Sequence, residues 1–113
     1  MKERFEVVFL EEVIEFIENL DSKTRSKILY TIDKARFLND PKLFKKLTNE
    51  IWEFRTKYNG NQYRIFAFWD KVGDTETLVV STHAIIKKTS KVPVNEINKA
   101  EKIRFHYFNQ KLN

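Results

Sequence analysis

The feature that most constrains the fold is a change of hydrophobic period near the middle of the chain. Before about residue 40, apolar residues recur every three or four positions, which is the spacing of one helical face. After Ile51 they alternate with polar residues, which is the period of a β-strand. Helices followed by a run of strands are typical of α+β proteins with an antiparallel sheet. The length of 113 residues predicts a single domain, 1–113.

The first half of the chain predicts a strand and two helices. Arg4–Phe9 is short and rich in β-branched and aromatic residues, as strands are. Leu10–Leu20 has an apolar face opposite four glutamates, which predicts an amphipathic helix with an acidic outer face. A second helix is expected over Lys23–Asn39, ended by Pro41. The short joint between the two predicts an antiparallel helical hairpin that covers one face of the sheet.

The second half predicts a three-strand meander followed by a helix. The strand segments are Ile51–Lys57, Tyr63–Trp69 and Thr77–Ile86. Gly60 and Gly73, the only glycines, fall in the two turns, where a positive φ is most often needed. Pro93 suits the first position of the C-terminal helix. We therefore predict an N-terminal strand, a helical hairpin packed on an antiparallel sheet made of the meander and that strand, and a C-terminal helix.

The positive charge is concentrated in the second half of the chain. Residues 1–54 hold 10 Lys and Arg against 11 Asp and Glu, whereas residues 55–113 hold 11 against 5. The net charge is therefore −1 in the first part and +6 in the second. A one-sided basic surface attracts polyanions at long range and binds phosphates in a salt-dependent way. A merely solubilising charge is the alternative interpretation.

Several function classes are disfavoured by what the sequence lacks. There is no cysteine, and the two histidines, His83 and His106, have no metal-binding spacing, so we expect neither a metal nor another cofactor. No apolar run approaches the roughly 20 residues of a membrane span. The charged opening segment does not resemble a signal peptide, which predicts the cytoplasm as the compartment and no membrane partner.

The strand alternation predicts that basic side chains from separate strands meet. Arg55 and Lys57 share one face of the first meander strand with Glu53, and Arg64 lies in the aromatic second strand. A buried arginine is costly unless its head reaches solvent or an anion. The candidate catalytic residues are Arg55, Arg64, Lys87 and Lys88. The candidates for binding RNA phosphates are Lys57, Lys91, Lys99 and Lys102.

Such a patch fits the cleavage of an RNA phosphodiester. The transition state gains negative charge at phosphorus, and fixed Arg and Lys donors stabilise it. Removal of the proton from the 2′-hydroxyl needs a group that titrates near neutrality, either a histidine or a lysine whose pKa is depressed by neighbouring cations. The chemistry would be metal-free.

Structural interpretations of the same residues remain open. Arg64 could form a structural ion pair with Glu53, and Lys87-Lys88 could be an ordinary surface turn. His83 is expected in the core, and Trp69 is more typical of core packing than of base stacking. The pattern alone does not separate these interpretations from a catalytic site.

An ordered set of short motifs resembles the phage-related HigB-like toxins of the RelE/ParE superfamily. The matching segments are Ile51-Trp52-Glu53-Phe54-Arg55, Tyr63-Arg64-Ile65-Phe66, Ile86-Lys87-Lys88-Thr89, Lys91-Val92-Pro93, Glu96-Ile97 and Ala100. Three positions depart from the family pattern: Phe54 stands where the family has leucine, Val92 where it has threonine, and Ile86 where it has phenylalanine. Val92 cannot cap the helix, which puts the placement of Lys91 in doubt.

The resemblance implies the toxin of a type II toxin–antitoxin pair that cuts mRNA on the ribosome. It implies a helix-turn-helix, HigA-like antitoxin as partner, together with the ribosome and mRNA, and it implies Arg55, Arg64, Lys87 and Lys88 as active-site residues with Lys91 in support. ParE-like relatives inhibit DNA gyrase instead, and a basic nucleic-acid-binding module without catalysis is a third possibility. DNA breaks with intact mRNA would identify a gyrase inhibitor. Salt-sensitive RNA binding without growth arrest would identify a non-catalytic binding module.

Overall fold

The structure, a computed structural model, describes residues 2–71, 78–87 and 91–112. The elements are β1 (Glu6–Phe9), α1 (Glu11–Glu18), α2 (Ser22–Phe37), β2 (Phe44–Lys46), β3 (Trp52–Tyr58), β4 (Asn61–Asp70), β5 (Leu78–Lys87) and α3 (Val94–Leu112). The strands form one sheet in the order β1-β5-β4-β3-β2. The predicted α+β class, with an N-terminal strand, two helices, a meander and a C-terminal helix, is confirmed.

Two details of the sheet differ from the prediction. β1 pairs in parallel with β5, from Glu6 opposite Leu78 to Phe9 opposite Ser81, so the sheet is mixed and not wholly antiparallel. Two helices and three strands separate β1 from β5 in the chain, and a parallel pair needs a long connection of this kind. β2 is an additional strand, antiparallel to β3, whose three residues are too few to show a period. The predicted turn at Gly73 lies outside the described residues.

The sheet has a core on each face. Against α1 and α2, the side chains of Phe54, Ile65 and Val79 pack with those of Val13 and Ile28. Against α3, a second and smaller cluster contains Ile51, Phe66, Phe68, Val80 and Ala100. The predicted hairpin therefore covers one face. α3 covers only part of the other, and the uncovered part is the end of the sheet next to the β3–β4 turn.

The β3–β4 turn fixes which residues face each other at that end. Asn59 and Gly60 have φ values of 51° and 80°, a conformation that favours glycine and asparagine. The turn places Arg55 directly opposite Arg64, and Lys57 opposite Gln62. The hairpin that the sequence predicts is confirmed, with β4 extended at both ends.

α3 is attached to the sheet by polar contacts as well as by its apolar face. At its C-terminal end the Tyr107 hydroxyl and the Lys111 ammonium donate to the buried Asp70 carboxylate at 2.7 and 2.6 Å. Near its start, Glu96 lies 3.4 Å from Nε2 of the buried His83. In the described residues no helix is long and apolar enough to cross a membrane.

Candidate active site

The predicted basic residues meet on the face that α3 leaves uncovered. Alternation along β3 puts Glu53, Arg55 and Lys57 on the same face as Ile51, which packs against α3. Arg64 of β4 lies on this face because it is opposite Arg55 in the strand register. Lys87, at the end of β5, is opposite Gln62 in the neighbouring row and lies on the same face. One patch therefore collects side chains from three strands.

A groove of about 350 Å³ runs between these side chains. Its lining residues are Lys42, Arg55, Lys57, Gln62 and Arg64. The volume is at the lower end of the range for ligand pockets, roughly 300–1,000 Å³. Four of the five lining side chains are cations, and the fifth, Gln62, accepts a hydrogen bond from one of them, so the groove suits a small, negatively charged group.

A single buried carboxylate, Glu53, lies between the two arginines. Its Oε1 is 3.3 Å from Nε of Arg64 and its Oε2 is 3.6 Å from Nε of Arg55. Neither contact has hydrogen-bond geometry. Like charges directly opposite each other on two strands destabilise a sheet, so Glu53 is the counter-ion that permits the arginine pair. The structural ion pair weighed for Arg64 thus exists, but it is loosely oriented.

The remaining contacts of the arginines hold their heads towards the groove. Nη2 of Arg64 donates to Oε1 of Gln62 at 2.6 Å. Nη1 of Arg55 makes a long contact of 3.4 Å to the carbonyl oxygen of Pro41. Arg64 is 2 % exposed, whereas Arg55 is half-buried. The two guanidinium groups therefore differ in exposure: Arg64 lies within the wall of the groove and Arg55 lies at its rim.

Lys87 lies behind this row, with its ammonium group buried. The residue is 7 % exposed, and Nζ has no hydrogen-bond partner among the described residues. Burial lowers the pKa of Lys87, and the nearby Arg64 lowers it further, while Glu53 opposes both. The amine is consequently easier to deprotonate than an ordinary lysine.

Burial also changes the titration of the central ion pair. It raises the pKa of Glu53, although Arg64, Arg55 and Lys87 act in the opposite direction. It lowers the pKa of Arg64, with Glu53 opposing. Both pKa shifts have the same cause: each charged group has lost its hydration, and the loosely oriented ion pair does not fully offset that desolvation cost. An incoming phosphate would relieve that cost for the arginines.

The other predicted site residues lie elsewhere or outside the described chain. Lys88 falls in the undescribed segment 88–90. Lys91 is exposed in the segment before α3, and Lys102 is exposed on α3. Lys99 forms an exposed ion pair of 2.7 Å with Glu12 of α1. None of the last three lines the groove. Among the predicted residues that the structure describes, Arg55, Lys57 and Arg64 line it, and Lys87 lies beside them on the same sheet face.

Three groups of the site were not predicted as functional. For Glu53 the sequence suggests only a structural ion pair with Arg64. Gln62 could have been found, because a two-residue Asn-Gly turn places it opposite Lys57. Lys42 reaches the groove through the irregular segment after α2, and no sequence period indicates that.

His83 is a core residue, as expected. It is 1 % exposed and its ring stacks on Phe66 with centroids 4.8 Å apart. Its Nδ1 lies 3.0 Å from the Thr82 hydroxyl. Burial lowers the pKa of His83, assisted by Lys99 and opposed by Glu96. The ring is therefore neutral at physiological pH and takes no part in the groove.

The fold and the groove together define a small, basic α+β domain with a cationic site on one open sheet face. A family model of phage-derived Gp49-like proteins (DUF891) matches residues 15–104, and the chain therefore belongs to this RelE-like, toxin-like family. The matched range includes every lining residue of the groove. The match does not distinguish a HigB-like subgroup. No individual curated protein gives a significant match.

Proposed function

We propose that the chain is the toxin of a type II toxin–antitoxin pair and a ribosome-dependent mRNA endoribonuclease of metal-free mechanism. The observation that carries this proposal is the convergence of Arg55, Lys57 and Arg64 around one groove, with Lys87 buried behind them. Four cations and one carboxylate attract a phosphodiester and repel a divalent metal ion. Membership of a toxin-like family supports the biological context.

The two arginines have the geometry to hold a phosphate. A guanidinium presents two parallel N–H groups that match two phosphate oxygens. Because the contacts to Glu53 are not aligned as hydrogen bonds, the phosphate oxygens compete for donors that are incompletely used. Arg64, held by Gln62, positions the phosphate, and the more exposed Arg55 contacts it from the rim of the groove.

Lys87 is the candidate for the proton transfer. Its Nζ is buried behind the groove, so the step requires the side chain to bring Nζ within hydrogen-bond reach of the 2′-hydroxyl. In its neutral form the amine then accepts the proton of the 2′-hydroxyl while O2′ forms a bond to phosphorus. The bond from phosphorus to O5′ then breaks, leaving a 2′,3′-cyclic phosphate and a 5′-hydroxyl that takes a proton from water or from the Lys57 ammonium. The arginines stabilise the charge on the phosphorane oxygens.

The proposed partners follow from the family resemblance and the charge. A HigA-like helix-turn-helix antitoxin would neutralise the toxin, and the ribosome and mRNA would be its targets. The excess positive charge of residues 55–113 would draw the domain to RNA in a salt-dependent manner. An acidic antitoxin segment over the groove would compete for the same cations.

Induction of the chain in growing cells, with mapping of new RNA 5′ ends, tests the proposal. We expect growth arrest and new 5′ ends within translated mRNA. Lys87→Met and the charge-neutral double variant Glu53→Gln/Arg64→Gln should restore growth, whereas Lys23→Glu on the exposed side of α2 should remain toxic. Toxicity of both site variants would refute the site. DNA breaks with intact mRNA would show that the chain is a gyrase-inhibiting toxin and not a nuclease. RNA binding without growth arrest would show that it is a non-catalytic binding module.

A further inference from the structure

A second cationic groove lies at the other end of β3, and both tryptophans of the chain line it. Trp52 begins β3 and Trp69 lies near the end of β4, with their rings edge to face and centroids 5.8 Å apart. The volume of this tryptophan groove is about 540 Å³. Its wall includes Lys46 of β2 and Lys71, which follows β4. Along β3, Trp52 lies three residues, or roughly 10 Å, before Arg55 of the candidate active site, and the two side chains point to opposite sheet faces.

The aromatic rings of this groove are not fully used in packing. Both tryptophans are half-buried, although Phe44 and Phe54 beside them are buried almost completely. Trp52 stacks on Phe44 with an interplanar angle of 25° and a centroid distance of 4.9 Å, so its position is fixed from one side. The indole rings therefore present rigid aromatic surface to the groove at little entropic cost.

The cations of the groove are placed next to rings. Nζ of Lys71 lies 5.4 Å from the Trp69 centroid, and the Arg104 guanidinium lies 5.2 Å from that of Phe108. Lys46 is directly opposite Trp52 in the strand register. Glu50 neutralises Arg104 at 3.0 Å, which leaves the two lysines without a described ion pair.

We propose that the tryptophan groove binds one nucleotide of single-stranded RNA, with the base against the indole rings and the phosphate held by Lys46 and Lys71. Proteins hold single-stranded nucleic acids with aromatic rings flanked by cations, because every base has a π-face that can stack and every phosphodiester linkage carries a negative charge. An acidic peptide would form ion pairs with the lysines but would have no base to stack on the indole rings. The inference rests on the proposed function only in taking RNA as the ligand.

Intrinsic tryptophan fluorescence tests this proposal selectively, because the chain has two tryptophans and both line the groove. The probe is a short single-stranded oligoadenylate with 2′-O-methyl groups, which the proposed nuclease chemistry cannot cut. We expect saturable quenching that weakens with salt. Lys46→Glu and Lys71→Glu should each reduce the affinity roughly tenfold and lower the salt dependence. The matched variant Lys23→Glu, on exposed α2, should bind as the unmodified chain does.

Lys87→Met separates this groove from the candidate active site. Quenching that persists in Lys87→Met supports a distinct site, even if the chain proves to have no nuclease activity. Absence of quenching, an equal loss of affinity in Lys23→Glu, or loss of quenching in Lys87→Met would overturn the proposal. Inorganic polyphosphate that quenches as strongly as the oligonucleotide would also overturn it, because polyphosphate has no base to stack.

Discussion

Replacing Glu53 with glutamine is expected to destabilise the domain while making the candidate active site bind anions more tightly. The side chain keeps its shape, so the change isolates one charge. Arg55 and Arg64, which lie directly opposite each other, lose their shared counter-ion. Removing one partner of a buried ion pair typically costs about 3–5 kcal/mol.

The expected loss is smaller here, because the ionised carboxylate is itself costly. Burial raises the pKa of Glu53, so a neutral glutamine recovers part of the desolvation cost. The contacts are also longer than aligned ionic hydrogen bonds. We therefore expect a loss of about 2 kcal/mol in the free energy of unfolding. For a domain of this length that corresponds to a decrease of roughly 8 °C in Tm.

Thermal unfolding followed by circular dichroism, in increasing sulfate at neutral pH, measures both effects. Sulfate should occupy the position between the arginines and recover most of the lost Tm in Glu53→Gln. The matched control is Asp33→Asn, whose carboxylate is exposed and pairs with Arg36 at 3.0 Å, away from both grooves. It should lose about 0.5 kcal/mol or less and report the general stabilisation by sulfate.

Two results would refute this reasoning. One is a Tm of Glu53→Gln that matches that of Asp33→Asn without sulfate, because Glu53 would then not be an essential counter-ion. The other is a sulfate response that is the same in both variants and in the unmodified chain, because the groove would then have no specific affinity for a tetrahedral anion.

Four further changes test other parts of the structure. Lys87→Met should reduce mRNA cleavage by about 100-fold or more. It should also raise the free energy of unfolding at pH 7 by about 1 kcal/mol, since a buried ammonium with a lowered pKa is removed, and a loss of stability would contradict this. Asp70→Asn weakens the ionic hydrogen bonds that α3 donates and should cost about 1–3 kcal/mol in urea unfolding, whereas an unchanged midpoint would mean that α3 does not depend on them. Gly60→Ala places a side chain at φ +80° with no atom within 4 Å, so backbone strain alone should cost about 1 kcal/mol, and no measurable loss would refute the turn geometry. Because the pKa of His83 is lowered in the folded chain, the unfolded chain binds this proton at higher pH, and stability should fall as the pH drops below 6.5. The fall should be less steep in His83→Gln, and equal slopes of stability against pH in the two chains would exclude this histidine as the cause.

The sequence predicts those helices and strands that are long enough to show a hydrophobic period. α1 and the β3–β4 hairpin have clear patterns, and Gly60 marks the turn that sets the register of Arg55 and Arg64. β2 was missed, because three residues with two exposed lysines do not alternate visibly. The parallel pairing of β1 was also missed, because strand direction depends on the path of the whole chain and not on any local pattern.

The candidate site was predicted where strand register alone determines it. Arg55, Lys57 and Arg64 follow from alternation and from the turn. The role of Glu53 follows from distances of 3.3 and 3.6 Å that no pattern encodes. The separation of Lys99 from the groove depends on how α3 packs against α1, which is a property of tertiary structure.

Cleavage of mRNA on programmed ribosomes in a purified translation reaction tests the central claim most directly. With the unmodified chain we predict new fragments that end in a 2′,3′-cyclic phosphate, and none with Glu53→Gln/Arg64→Gln, while Lys23→Glu cuts normally. Intact mRNA with the unmodified chain, or the same fragments from the double variant, would contradict the assignment of a phosphate to the groove between Arg55 and Arg64.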